Sequence, residues 1–168
     1  MTSILGALVY VVFATSEGAG SARSVTFGVE QQPSSVAAFE LETGRLTRVP
    51  ITLLDSDQVL LYSATLPAGK SEGWYDTALV IDAPARAAAI KLGAQDKARL
   101  ARLHGRDFAR VTDVVPTAID LDGNRLPDLA FVKVCIEYPR GDSICGEHAV
   151  FAARRVHGTW TLTADRTY

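Results

Sequence analysis

The 168-residue chain has only two cysteines, three histidines and no large excess of charge of either sign, and these shortages exclude several kinds of site. The cysteine spacing C-x9-C matches no standard zinc finger, and the sequence contains no glycine-rich phosphate loop and no H-E-x-x-H pair. A formal net charge of −2 gives no basic field that would attract nucleic acid or an anionic membrane. We therefore expect no nucleic-acid partner.

Long hydrophobic runs are also missing. The run from Ile4 to Ala14 is shorter than the roughly 18 to 20 residues of a membrane-spanning helix, so we expect no stable membrane insertion. Small residues such as Gly20 and Ala22 follow it and could form a cleavage site, although the run lacks the positively charged residues that usually precede it. Residues 1–23 thus resemble a signal segment, which predicts a periplasmic or secreted protein. The alternative is a buried strand, because residues 9–13 are β-branched and aromatic.

What the chain does have is enough apolar side chain for one folded core. Hydrophobic residues make up 48% of the sequence and charged residues 21%, and 168 residues is the length of one domain. Arginine outnumbers lysine, a bias that we interpret as that of a GC-rich, bacterial coding sequence. The prediction is a single β-rich domain over 24–168.

The fold class that we predict is α+β, an antiparallel sheet meander with one or two short helices in the middle. From Pro84 to Gly105 the residues are good helix formers split by Gly93, and Asp96 can cap the second piece. Short β-branched and aromatic runs between turn residues predict the strands, and His157-Gly158 predicts a tight final hairpin. The predicted strands are 24–30, 36–41, 46–54, 58–66, 78–81, 110–115, 129–138, 147–156 and 159–164.

The two cysteines, Cys135 and Cys145, flank a segment whose Pro139 and Gly141 favour a turn. A hairpin would bring the two sulfurs together, so we predict a disulfide that closes this loop. Such a bridge would contribute about 2 to 3 kcal/mol and would persist only in an oxidising compartment. Two reduced, buried thiols are the alternative.

One stretch of the chain has the residue types of a cation site. From Asp120 onward, oxygen-bearing side chains occupy positions 1, 3, 5 and 9, and position 7 can offer a main-chain carbonyl. Calcium takes six to eight oxygen ligands, which a tight loop of this kind can supply. The alternative is a turn held by hydrogen bonds of the Asp and Asn side chains, with no ion. The candidate ligands of one calcium ion are Asp120, Asp122, Asn124, Leu126 through its carbonyl, and Asp128.

Residues 120–131 resemble the D-x-D-G-(D/N)-x-x-x-D-L loop of FG-GAP and VCBS-type repeats. The resemblance implies that Asp120, Asp122, Asn124 and Asp128 ligate calcium, and that the site is structural rather than catalytic. The family commonly has glycine at the sixth loop position, where this chain has Arg125. The sequence contains no second copy of the motif, so the resemblance does not imply a propeller.

The segment between the cysteines also carries two short motifs. Gly141-Asp-Ser143-Ile resembles the nucleophile block of GDSL-type hydrolases, but only 25 residues follow Ser143 and no D-x-x-H pair is among them. Arg140-Gly-Asp142 matches the tripeptide that integrins recognise, and a closed loop would present it with little loss of entropy. The residues of this candidate partner-binding tip are Tyr138, Arg140, Asp142 and Ser143.

These observations favour a non-catalytic, extracytoplasmic binding module with a structural calcium loop and a protein partner. The first alternative is a periplasmic inhibitor or immunity-type protein that inserts the 138–143 tip into a partner enzyme. The second is a serine hydrolase that uses Ser143. We expect the protein not to be an enzyme.

Overall fold

A computed structural model describes residues 23–28, 35–56, 59–66, 77–103, 109–136 and 147–163. Contacts divide the chain into two compact units, Met1–Ala85 with Arg166–Tyr168, and Arg86–Asp165. The single domain over 24–168 stays a prediction. None of the helical residues in the described ranges forms a helix long and apolar enough to cross a membrane.

The first unit is built from two three-stranded antiparallel sheets. Their strands are β1 (Arg23–Gly28), β2 (Val36–Glu40), β3 (Arg45–Arg48), β4 (Ile51–Ser56), β5 (Val59–Leu66) and β6 (Thr77–Ile81). One sheet has the order β1-β5-β4 and the other the order β3-β2-β6. Their apolar faces pack together in one core, where the Phe27 and Tyr62 rings stack with centroids 5.8 Å apart and Leu79 and Ile81 are fully buried.

The predicted strand 46–54 is two strands that belong to different sheets. β3 ends at Arg48 and β4 begins at Ile51, with Val49 and Pro50 between them. Pro50 has no N–H to donate to a ladder, and a proline also restricts the backbone of the residue before it. The chain therefore leaves one sheet at this point and enters the other.

The second unit is one five-stranded antiparallel sheet with a helix packed on one face. The elements are β7 (Ala88–Lys91), α1 (Ala94–Leu100), β8 (Ala109–Asp120), β9 (Leu129–Ile136), β10 (Glu147–Val156) and β11 (Thr159–Leu162). The strand order is β11-β10-β9-β8-β7. Leu100 of the helix is fully buried among the side chains of β8 and β9, and Trp160 donates a hydrogen bond from Nε1 to Asp96 Oδ1 at 2.9 Å.

The predicted α+β class with one or two helices is wrong, because the regular elements of the described residues are eleven β-strands and a single seven-residue helix, which is a nearly all-β fold. Ala88–Lys91 is composed of good helix formers, yet it pairs with β8 as an edge strand. Sheet pairing here overrides intrinsic propensity. The N-cap of α1 is Gly93, so the prediction that Asp96 caps this helix is wrong. Asp96 lies inside the first turn of the helix instead.

The predicted meander holds only for the second unit. β8 to β11 pair consecutively there, and the His157-Gly158 turn has φ values of 48° and 80°, as a tight hairpin requires. In the first unit β2 pairs with β3 and β4 with β5, but β1 pairs with β5 and β2 with β6, so consecutive and long-range pairs are mixed.

Strand β8 is longer than its predicted span of 110–115. The sequence pattern ends it before Pro116, whereas the structure continues it to Asp120 through a register shift between Val114 and Ala118. A bulge leaves residues out of the ladder, so a proline without an N–H is tolerated there. The Pro116 carbonyl still accepts a hydrogen bond from the Leu92 N–H at 2.9 Å. This extension carries β8 to the candidate metal loop.

Candidate metal centre

The candidate metal loop, residues 120–128, connects the neighbouring strands β8 and β9. Ile119 of β8 pairs with Leu129 of β9, and the Asp128 N–H donates to the Ile119 carbonyl at 3.0 Å, which closes the loop at its base. Asp120 is only 4% exposed although it carries a carboxylate. A buried carboxylate must be hydrogen-bonded or bound to a cation.

Backbone N–H groups of the loop donate to the Asp120 carboxylate. Oδ1 accepts from the Gly123 N–H at 2.7 Å, and Oδ2 accepts from the Arg125 N–H at 2.8 Å. At the other end of the loop, Asp128 Oδ2 accepts from the Leu121 N–H at 2.8 Å. The two carboxylates thus fix the path of the loop from both ends.

The environment of Asp120 lowers its pKa. Burial by itself raises the pKa of this carboxyl, but the backbone N–H groups of Arg125, Gly123 and Asp122 stabilise the charged form and outweigh burial. The net result is a pKa below the ordinary value of 3.8, so Asp120 is ionised at neutral pH. An ionised carboxylate at the base of the loop is the form that ligates a cation.

The backbone of the loop turns through two left-handed residues. Gly123 has φ of 78° and Arg125 has φ of 65°. A left-handed conformation is one that glycine adopts easily, and FG-GAP and VCBS-type loops commonly have glycine at the corresponding position. In this chain the left-handed residue is an arginine. An L-residue with a side chain pays about 1 kcal/mol for this conformation.

Three of the five predicted ligands lie together. One carboxylate oxygen from each of Asp120, Asp122 and Asp128 falls within 4.8 Å of the others, and this group could hold a metal ion. Asn124 lies beside it and donates from Nδ2 to Asp122 Oδ2 at 2.8 Å. Its own Oδ1 accepts from the Leu126 N–H at 2.7 Å. The carbonyl of Leu126 as a ligand stays a prediction.

Two anchors of the loop come from other parts of the second unit and have no signal in the sequence. Arg86 donates from Nε to the Leu121 carbonyl at 3.1 Å, and the Arg155 N–H of β10 donates to the Asp128 carbonyl at 2.8 Å. The loop is therefore held by the segment before β7 and by β10, in addition to its own strands. Only the sheet topology brings these groups together.

Of the predicted disulfide and partner-binding tip, the structure describes only Cys135. Cys135 is fully buried in β9, where the register places His148 of β10 opposite it. Cys145 and the whole candidate tip lie outside the described residues. The disulfide and the partner-binding tip with Tyr138, Arg140, Asp142 and Ser143 therefore stay predictions.

No protein-family model matches the chain, and neither a curated protein nor a solved structure matches it. The likeness of residues 120–131 to FG-GAP and VCBS-type loops stays a prediction from the sequence.

Proposed function

We propose that the 120–128 loop binds one calcium ion and that the protein is a non-catalytic, extracytoplasmic binding module stabilised by that ion. The observation that carries the proposal is the meeting of Asp120, Asp122 and Asp128, whose oxygens lie within 4.8 Å of one another. Three carboxylates this close repel one another, and a bound divalent cation would relieve that repulsion.

The donor set favours calcium over softer metals. Only oxygen atoms converge at the three carboxylates, and hard cations such as Ca²⁺ prefer oxygen ligands. Each carboxylate oxygen that accepts one backbone hydrogen bond retains a second lone pair for a metal. The Asn124 side chain, the Leu126 carbonyl and water can complete the six to eight ligands that calcium takes.

The position of the loop supports a structural role for the ion. Asp120 ends β8, Asp128 precedes β9, and the Asp128 carbonyl accepts a hydrogen bond from β10. An ion held between Asp120 and Asp128 would thus brace three neighbouring strands of one sheet. Calcium sites of extracellular modules have dissociation constants of roughly 10⁻⁴ to 10⁻³ M. We place the proposed site in this range, where it fills at millimolar calcium outside the cytoplasm.

Calorimetric titration of the chelator-treated protein with calcium tests the proposal. We expect one ion per chain and a loss of affinity of about tenfold or more in Asp122→Asn, because one ligand charge is removed. This variant suits the test because Asp122 is exposed and an amide oxygen can still accept the Asn124 N–H bond seen at 3.0 Å. Asp113→Asn is the matched control, an exposed aspartate of β8 outside the loop. Equal heats from the two variants, or none from the wild type, would contradict a calcium site.

A further inference from the structure

Strand β3 is an edge of its sheet in the first unit. The Val49 N–H donates to the Val36 carbonyl at 3.3 Å, and in an antiparallel ladder this pattern recurs at every second residue. The backbone groups of Leu46 and Arg48 therefore point away from β2. None of the strands in the described ranges pairs with this outer side of β3. Such a row of N–H and C=O groups is a template for an added strand.

Arg48, at the end of β3, is a fixed cation without an acidic partner among the described residues. Its guanidinium donates from Nη1 to the Ala83 carbonyl at 2.6 Å and from Nη2 to the Pro84 carbonyl. Two neutral carbonyls orient the group but leave its charge uncompensated. Three of its five N–H donors remain for another acceptor. A guanidinium already held in place loses little entropy when it binds a carboxylate.

A groove of about 380 Å³ lies beside this strand. Arg45 and Arg48 line it together with Val49 and Leu66, whose side chains are 7% and 1% exposed. Arg45 forms only a 3.5 Å ion pair with Glu40, and its side chain is 55% exposed. The groove thus combines two arginines with a small apolar floor.

We propose that β3 and this groove bind an extended acidic peptide segment of a partner protein, which adds to the sheet as a fourth strand. The outward backbone groups of Leu46 and Arg48 supply the ladder bonds, and alternate side chains of the peptide supply specificity. A carboxylate of the peptide pairs with Arg48, whose guanidinium is already oriented by the Ala83 and Pro84 carbonyls. The proposal uses residues of the first unit alone and does not rest on the calcium loop.

The test uses a fluorescein-labelled peptide of about eight residues that alternates glutamate and valine, the length of a typical strand. Fluorescence anisotropy measures its binding to the full chain. We expect Arg48→Gln to weaken binding about tenfold, because a charge-assisted pair is lost, and Lys91→Gln to leave it unchanged. Lys91 is the matched control, an exposed basic residue on the edge strand β7.

A second peptide separates strand addition from simple charge attraction. The same sequence N-methylated at every residue keeps its charges but has no backbone N–H on either edge to donate to β3, so we expect it not to bind. This comparison uses the wild-type protein and does not depend on the folding of a variant. Equal binding of the two peptides, binding of a lysine–valine peptide, or no binding at all would overturn the proposal.

Discussion

Replacing Asp120 tests whether its carboxylate holds the loop together before any ion binds. The carboxylate is 4% exposed and accepts the Gly123 and Arg125 N–H groups at 2.7 and 2.8 Å. A hydrogen bond to a charged group contributes about 1.5 to 3 kcal/mol, so Asp120→Ala should lower the free energy of unfolding by about 3 to 6 kcal/mol in chelator. This is a large share of the roughly 5 to 15 kcal/mol that stabilises a native domain.

Urea unfolding followed by tryptophan fluorescence measures this loss, with buffer and chelator identical for every variant. Asp120→Asn should lie between wild type and alanine, because an amide retains one oxygen but places an NH₂ group against a backbone donor. Asp113→Ala is the control on the same strand, where the exposed carboxylate accepts the neighbouring Val114 N–H. If Asp120→Ala costs no more than Asp113→Ala, the loop is not organised by its first aspartate.

Two further predictions concern the same loop. The folded-state pKa of Asp120 lies below its ordinary value of 3.8, so the stability that its charge contributes is complete above pH 3.8 and is lost as the pH falls through the lower, folded pKa. Urea midpoints in chelator should therefore fall more steeply with decreasing pH in wild type than in Asp120→Asn. Parallel slopes for the two proteins would contradict this prediction. Arg125 has φ of 65°, so Arg125→Gly should raise the melting temperature or leave it unchanged, with a gain of at most about 1 kcal/mol, whereas Arg125→Val should lower it. A lower melting temperature for the glycine variant than for the valine variant would contradict the left-handed assignment.

Much of the strand pattern could be predicted because turn residues and β-branched runs are local signals. The span 147–156 matches β10 throughout, and the His157-Gly158 hairpin is confirmed. The errors occur where long-range contacts decide. Ala88–Lys91 has helical composition but becomes a strand because β8 offers it a pairing edge. No local signal shows that β1 pairs with β5 or that β2 pairs with β6.

The candidate site divides in the same way. The spacing of aspartates within nine residues predicts that their carboxylates form one cluster. The structure brings Asp120, Asp122 and Asp128 together as that spacing predicts. The anchors Arg86 and Arg155 lie on distant segments and meet the loop only through the order of the strands. The groove beside β3 also depends on the order of the strands, because Leu66 reaches it from another sheet.

The two interpretations of the loop, a turn held by Asp and Asn side chains or a calcium site, describe the same geometry. The backbone bonds to Asp120 and Asp128 place the carboxylates before an ion arrives, so binding loses less conformational entropy than it would from a free loop. The three carboxylates repel one another, and the hydrogen bonds offset this repulsion only in part because none of the N–H donors carries a full charge. A divalent cation removes that repulsion. The turn is therefore the preorganised state of the metal site, and Asp122, whose carboxylate accepts from the Asn124 N–H and Nδ2, is the residue whose charge separates the two functions.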